Sequence, residues 1–216
     1  MVSELRRQRD AERRARTRAA LLDAAGRVFA AKGYHATLIS DIVGDIGAGQ
    51  GTFYRHFNNK REIIDALFER FVGALLAEFA PMSLDLPNDI ETYRQASVAA
   101  VIRVTHVVQS QRDMAQIFLH QGRSIDAAFE RDLAGVFDRF VDIAQFHLQR
   151  AIDGGFARPC DAGAVAQAVV GMALRHMDLW LMGRIDDDDT ERIANELVEF
   201  AFWGFAPRDS APEGPA

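Results

Sequence analysis

Residues 37–60, TLISDIVGDIGAGQGTFYRHFNNK, compress two short helices and a glycine-rich turn into 24 positions. Thr37 is placed to cap a helix that carries Ile42 and Ile46 on one face at i,i+4 spacing. Gly47, tolerant of positive φ, ends it. After Gly47-Ala48-Gly49 the spacing predicts a second helix over 50–57 that points Phe53 and Phe57 inward one turn apart, with Gln50, Thr52, Tyr54 and His56 on the other side. Helix, tight turn, helix is the arrangement that lays a second helix in a major groove. The outward groups, an amide, a hydroxyl, a phenol and an imidazole, suit phosphate oxygens and base edges, and Gly51 permits close backbone approach.

The flanks fit this reading. A helix over 12–32 is expected to bury Leu21, Leu22, Ala25, Val28 and Phe29 against the motif and to stop at Gly33. Another begins at Asn59, with Asn59 and Glu62 in capping-box spacing, and continues through Ile63, Ile64, Leu67, Phe68, Phe71 and Leu75. Its first turn carries Lys60 and Arg61 and its far end enters a second domain, which makes it the expected mechanical link. The net charge of −6 is unevenly distributed: residues 1–75 hold 13 Lys and Arg against 9 Asp and Glu, and residues 76–216 hold 12 against 22. The basic excess lies at Arg6, Arg7, Arg9, Arg13, Arg14, Arg16 and Arg18. Two readings of this segment stay open, an arm along phosphates or a minor groove and a solvated leader.

The ordered set Thr37, Ile42, Gly47, Gly51, Thr52, Tyr54, His56, Phe57 and Lys60, preceded by Phe29-Ala30-Ala31-Lys32-Gly33-Tyr34, resembles the TetR family of bacterial transcriptional regulators. The strong part of the resemblance covers about the first third of the chain. Two departures stand out: Gly49 replaces the family's usual capping Ser, and Val43 and Ile46 stand where small Ala residues are common. The resemblance implies an all-α fold, with an N-terminal three-helix helix-turn-helix DNA-binding domain and a larger C-terminal helical domain for ligand binding and dimerisation. It maps Tyr54, His56 and Lys60 onto phosphate-contacting positions, and Gln50, Gly51 and Thr52 onto the base-reading turn. With Thr37 and Arg55 these make up the expected DNA-binding set, in which the Gln50 amide can bond an adenine edge bidentately.

The expected domains are residues 1–58, a basic arm and DNA-binding head with its recognition helix at about 50–57; 59–206, the effector and dimerisation domain; and 207–216, a frayed tail. Beyond a loop over 81–87, a capping box at Asn88 and Glu91 opens a helix to about residue 110. Further helices are expected at 113–120, 125–152, 162–182 and 190–205, with a loop at Gly122-Arg123. The last two carry more apolar surface than one face needs. They either wrap their own core or form half of an intermolecular four-helix bundle, and the family resemblance favours a homodimer.

Aromatic, Met and His side chains along the middle helices are candidates for an effector pocket: Phe71, His106, Met114, Phe118, His147, Met172, His176 and Trp180. The competing reading of each is ordinary core. A small apolar or amphipathic effector, a double-stranded DNA operator and a second copy of the chain are therefore the expected partners, acting as a ligand-responsive repressor. A DNA-binding architectural or protein-controlled regulator without an effector is the alternative.

Other chemistries find no footing. Asp186–Asp189 reads as a solvated loop capping the last helix rather than a cation site, and the histidines lack paired ligand spacing, so no metal is expected. The glycine run at 47–51 lacks the Lys-Ser/Thr ending of a phosphate loop. No catalytic motif and no cofactor site appear, and the chain does not read as an enzyme. A single cysteine, Cys160, a charged N-terminal segment and the absence of an 18-residue apolar run lead us to expect a cytoplasmic protein with no membrane segment.

Overall fold

The computed structural model describes residues 2–84, 87–186 and 190–205. All regular structure among the described residues is helical: α1 (Val2–Lys32), α2 (Ile39–Asp45), α3 (Gln50–Tyr54), α4 (Lys60–Ala77), α5 (Ala80–Leu84), α6 (Ile90–Ser110), α7 (Arg112–Gln116), α8 (Gly122–Ile125), α9 (Ala127–Asp153), α10 (Ala162–Leu181) and α11 (Thr190–Phe205). A single wider π turn, Ile117–Gln121, joins α7 to α8. No helix among the described residues is long and apolar enough to cross a membrane. The expected acidic loop at 187–189 and the tail at 207–216 lie outside the described residues.

The chain divides into two compact units. The first comprises Met1–Val72 and Asp113–Glu130, the second Gly73–Arg112 and Arg131–Ala216. The division does not fall at residue 58, because Ile63, Ile64 and Leu67 of α4 are fully buried and belong to the first unit.

In the first unit, Leu21, Leu22, Ala25 and Phe29 of α1, Ile42 and Val43 of α2, and Phe53 and Phe57 are all buried. A cluster of aromatic rings extends this core: Phe118 lies 5.2 Å from Phe68, 5.5 Å from Phe71 and 5.9 Å from Phe129 between ring centroids. The segment carrying Phe118 and Phe129 is fixed by polar contacts as well. Arg61 Nε donates to the Asp126 carboxylate at 2.7 Å, Asp126 accepts the Phe129 N–H at 2.8 Å, and His35 Nε2 lies 2.7 Å from the Ser124 carbonyl. Met114 reaches the place where a side chain on Gly26 would start, with its methyl 3.4 Å from that Cβ position.

In the second unit, Tyr93 of α6 packs on Phe202 of α11 at 4.9 Å, over a core that includes Leu148, Ala151, Ala162 and Val198. Arg94 bridges the same two helices, donating to Glu199 at 2.5 Å and to Glu91 at 2.6 Å. Hydrogen bonds from Arg94 and Gln95 hold the Glu91 carboxyl down at about 2.

Several local expectations are corrected. Helix α1 begins at Val2 rather than residue 12, so the arginine-rich segment is helical. The cap of α6 is Asp89, which accepts the Thr92 N–H at 2.7 Å, rather than Asn88. Part of the predicted loop at 81–87 is the short helix α5, and helical structure continues through Gly122-Arg123. Asn59 accepts the Glu62 N–H at 2.9 Å as a cap should, but the Glu62 carboxylate returns to the N–H of Asn58, at 2.6 Å, rather than that of Asn59.

Candidate nucleic-acid interface

Two backbone reversals frame the helix-turn-helix. Gly33 ends α1 with φ +80, and Gly47 ends α2 with φ +62, where the Ala48 N–H closes on the Val43 carbonyl at 2.8 Å. Thr37 does not cap α2. The cap position is Leu38, whose N–H donates to the Asp41 carboxylate at 2.9 Å. Thr37 is instead only 1% exposed, with its hydroxyl donated to the Gly33 carbonyl at 2.8 Å, and this takes it out of the exposed DNA-facing set. Lys32 pairs with Asp41 at 2.8 Å and Arg27 with Asp45 at 2.6 Å, fastening α2 to α1. The Lys32 ammonium, then the Leu38 N–H, hold the Asp41 carboxyl below its ordinary range.

Helix α3 is shorter than predicted, ending at Tyr54, yet its two sides are as expected. Phe53 and Phe57 are buried with rings 5.7 Å apart, while Gln50, Gly51, Tyr54 and Arg55 are exposed and Thr52 and His56 half-buried. A Cβ at Gly51 would meet nothing within 4 Å. Arg55 donates to the Thr52 hydroxyl at 3.0 Å, which ties one phosphate-competent group to another. Gly49 offers no side-chain cap.

Lys60, in the first turn of α4, is engaged within the protein. Its Nζ donates to the carbonyls of Tyr34 at 2.6 Å, Thr37 at 2.9 Å and His35 at 3.2 Å, and lies 4.5 Å from the centre of the Tyr34 ring. An ammonium has three hydrogens, so a direct bond to phosphate would require giving one up. Burial lowers its pKa from the ordinary lysine value.

The basic segment, expected as an arm along phosphates or a solvated leader, reaches the motif through α1. The Arg18 guanidinium lies over the Phe57 ring at 4.9 Å, bringing α1 against the end of the recognition helix. His56 there is held below the ordinary imidazole range, first by burial and then by Arg14, Arg55 and Arg18. Helical phase was the available signal, since Arg14 and Arg18 are i,i+4 and continue the stripe that buries Leu21, Leu22 and Ala25.

The expected effector residues fall into two groups. Phe71, Met114 and Phe118 are buried in the first unit. His106, His147, Met172, His176 and Trp180 belong to the second unit. There His106 is exposed and Met172 half-exposed, and Trp180 is buried beneath the Arg112 guanidinium at 4.5 Å. The Nε2 atoms of His147 and His176 are buried without a hydrogen-bond partner, and burial lowers the pKa of both imidazoles. Among the described residues no group of three His, Cys, Asp or Glu side chains is placed to hold a metal ion.

Residues 21–67, spanning the end of α1 through most of α4, match the family model described as bacterial regulatory proteins, tetR family. The chain is 30% identical over 127 residues to the HTH-type transcriptional regulator TtgW of Pseudomonas putida, covering 58% of this chain and 89% of that protein. It is 29% identical over 141 residues to SrpR of Pseudomonas putida, covering 64% of this chain but only 62% of that regulator's length. Among solved structures, the SmeT–triclosan complex superposes with a TM-score of 0.73 at 22% identity, over 92% of this chain and 96% of that one. FadR of Bacillus subtilis in complex with stearoyl-CoA does so with 0.72 at 19% identity, over 85% and 97%. These relatives are regulators rather than enzymes, and their helical fold is the one described above. The chain belongs to the TetR family of bacterial transcriptional regulators.

Proposed function

We propose that this regulator acts in the cytoplasm as a homodimeric repressor: the exposed face of α3 reads a palindromic operator, and a small apolar or amphipathic effector in the second unit releases it. The observation that carries the DNA-reading part is the two-sided α3. Phe53 and Phe57 anchor it, which fixes the direction in which Gln50, Thr52, Tyr54 and Arg55 face outward.

The dimer rests on α11. One side of that helix buries Ala194, Val198, Ala201 and Phe202, while Phe200 and Trp203 remain 70% and 52% exposed. Large apolar side chains on the open side of an already packed helix call for a second partner surface. A Cβ on Gly171 of α10 or Gly204 of α11 would meet nothing within 4 Å, leaving room for close helix approach.

The effector reading rests on buried His147 and half-buried His176, whose Nε2 atoms are both buried without a hydrogen-bond partner. Such groups suit a ligand that is mostly apolar with one or two polar atoms. SmeT with triclosan and FadR with stearoyl-CoA show two chemistries of that kind in the same fold. The mechanism is a shift between conformers: an effector moving the population from 1:99 to 99:1 must bind the released form better by about 5.5 kcal/mol. The competing reading is control by a protein with no small effector. Thermal denaturation with chlorinated phenols and long-chain acyl-CoA separates them. Stabilisation lost in His147→Phe supports the effector, and no shift from any ligand supports protein control.

A further inference from the structure

Arg103 of α6 fastens the chain just beyond α4. Its Nη2 donates to the Glu78 carbonyl at 2.8 Å, and its Nε stands 3.3 Å from the Glu78 carboxylate. The second approach is an ion pair without a hydrogen bond, because Nε is buried and has no hydrogen-bond partner. A buried charged donor left unsatisfied is costly, and a guanidinium presents its hydrogens in a fixed fork that a well-placed carboxylate fills bidentately. Glu78 leaves the Nε hydrogen unfilled.

The surroundings of the pair are apolar. Phe79, next to Glu78, packs on Phe140 of α9 with ring centroids 5.7 Å apart, so the end of α4, α6 and α9 converge here within the second unit. Along α6 the residues one turn from Arg103 are Ala99, Ala100 and Val107. Phe79, Phe140, Ala99 and Val107 are only half-buried, and the Arg103 and Glu78 side chains keep 34% and 29% of their surface exposed, which leaves the pair within reach of a ligand. Apolar walls around a cation with an unfilled, buried donor suit an anion carried on an apolar body.

We propose that Arg103 is the seat for the carboxylate of an amphipathic organic acid, which takes the place of the Glu78 carboxylate on the guanidinium while its apolar body lies against Phe79 and Phe140. This rests on the effector reading above and narrows the effector to an acid. Glu78 is then a built-in competitor: the ligand must displace it, so the pair sets the concentration at which the effector acts. Residues 76–216 are acidic overall, with 12 Lys and Arg against 22 Asp and Glu. Long-range charge therefore opposes the acid, and its affinity comes from the direct contact with Arg103. A neutral ligand of the same shape leaves Glu78 in place and gains nothing from the guanidinium.

The test uses the full chain titrated with decanoate and with decanol, followed by the fluorescence of Trp180 and Trp203 and by thermal denaturation. Wild type is expected to bind decanoate at least about tenfold more tightly than decanol. Arg103→Gln should lose that preference while keeping its decanol affinity, which also shows that the variant is folded. Glu78→Gln, which keeps the shape but removes the competing charge, should bind decanoate roughly two- to fivefold more tightly than wild type. A pair that only holds α4 in place predicts instead that both variants weaken acid and alcohol alike. Equal wild-type affinity for acid and alcohol, an acid preference that survives Arg103→Gln, or weaker decanoate binding in Glu78→Gln overturns the seat and leaves the effector reading standing. Binding of neither ligand by wild type also overturns the seat, and the effector reading falls with it only when the chlorinated phenols and acyl-CoA give no thermal shift either.

Discussion

Lys60 gives its ammonium hydrogens to the carbonyls of residues 34, 35 and 37, and those carbonyls lie on the link between α1 and α2. By charge and position alone it reads as a phosphate contact. Its acceptors are backbone atoms 23 to 26 residues away, which have no side-chain signature, so this role was not legible in the sequence. Lys60→Met leaves three carbonyls without a charged donor and is expected to destabilise the head by about 1–3 kcal/mol in urea unfolding. Its operator salt slope should change by much less than one unit. Gln50 is the opposite case: exposed, on the open side of α3, and legible from spacing. Gln50→Ala should relax preference at one base position in each half-site by about 1–3 kcal/mol while leaving the salt slope intact. Equal losses across all sequences would remove Gln50 from the reading set.

At the scale of elements, periodicity disclosed which face of each helix is buried but not what covers it. The inward placement of Phe53 and Phe57 and the positive φ of Gly33 and Gly47 follow from local signals, and these are the features that shape the interface. The docking of Asp113–Glu130 into the first unit depends on contacts with residues about 50 to 90 positions earlier, such as Arg61 with Asp126 and His35 with Ser124. No local pattern encodes such pairings, so the packing of Met114 and Phe118 in the first unit was not legible in the sequence. Phe118 is 1% exposed among three phenylalanine rings. Phe118→Ala should cost about 3–5 kcal/mol in unfolding free energy. A cost below about 1 kcal/mol would mean that the segment does not complete this core. The helical start of α1 was equally illegible, because an arginine-rich stretch without apolar periodicity acquires its helix from the packed residues that follow it.

For the whole molecule, the family assignment places DNA reading in the head, and the open apolar side of α11 supplies the argument for pairing. Phe200→Glu together with Trp203→Glu puts charge where the proposed partner surface lies. Sedimentation should then report a monomer with helix content preserved, and operator affinity should fall as the two half-sites become independent. A dimer that persists in this variant would place the interface elsewhere. The most direct measurement is selection of bound sequences by the wild-type chain from a random duplex pool at moderate salt. Operator reading by a symmetric dimer predicts an enriched motif with two-fold symmetry and half-sites centred about one helical turn or slightly more apart. Recovery of no preferred sequence would contradict operator reading by α3.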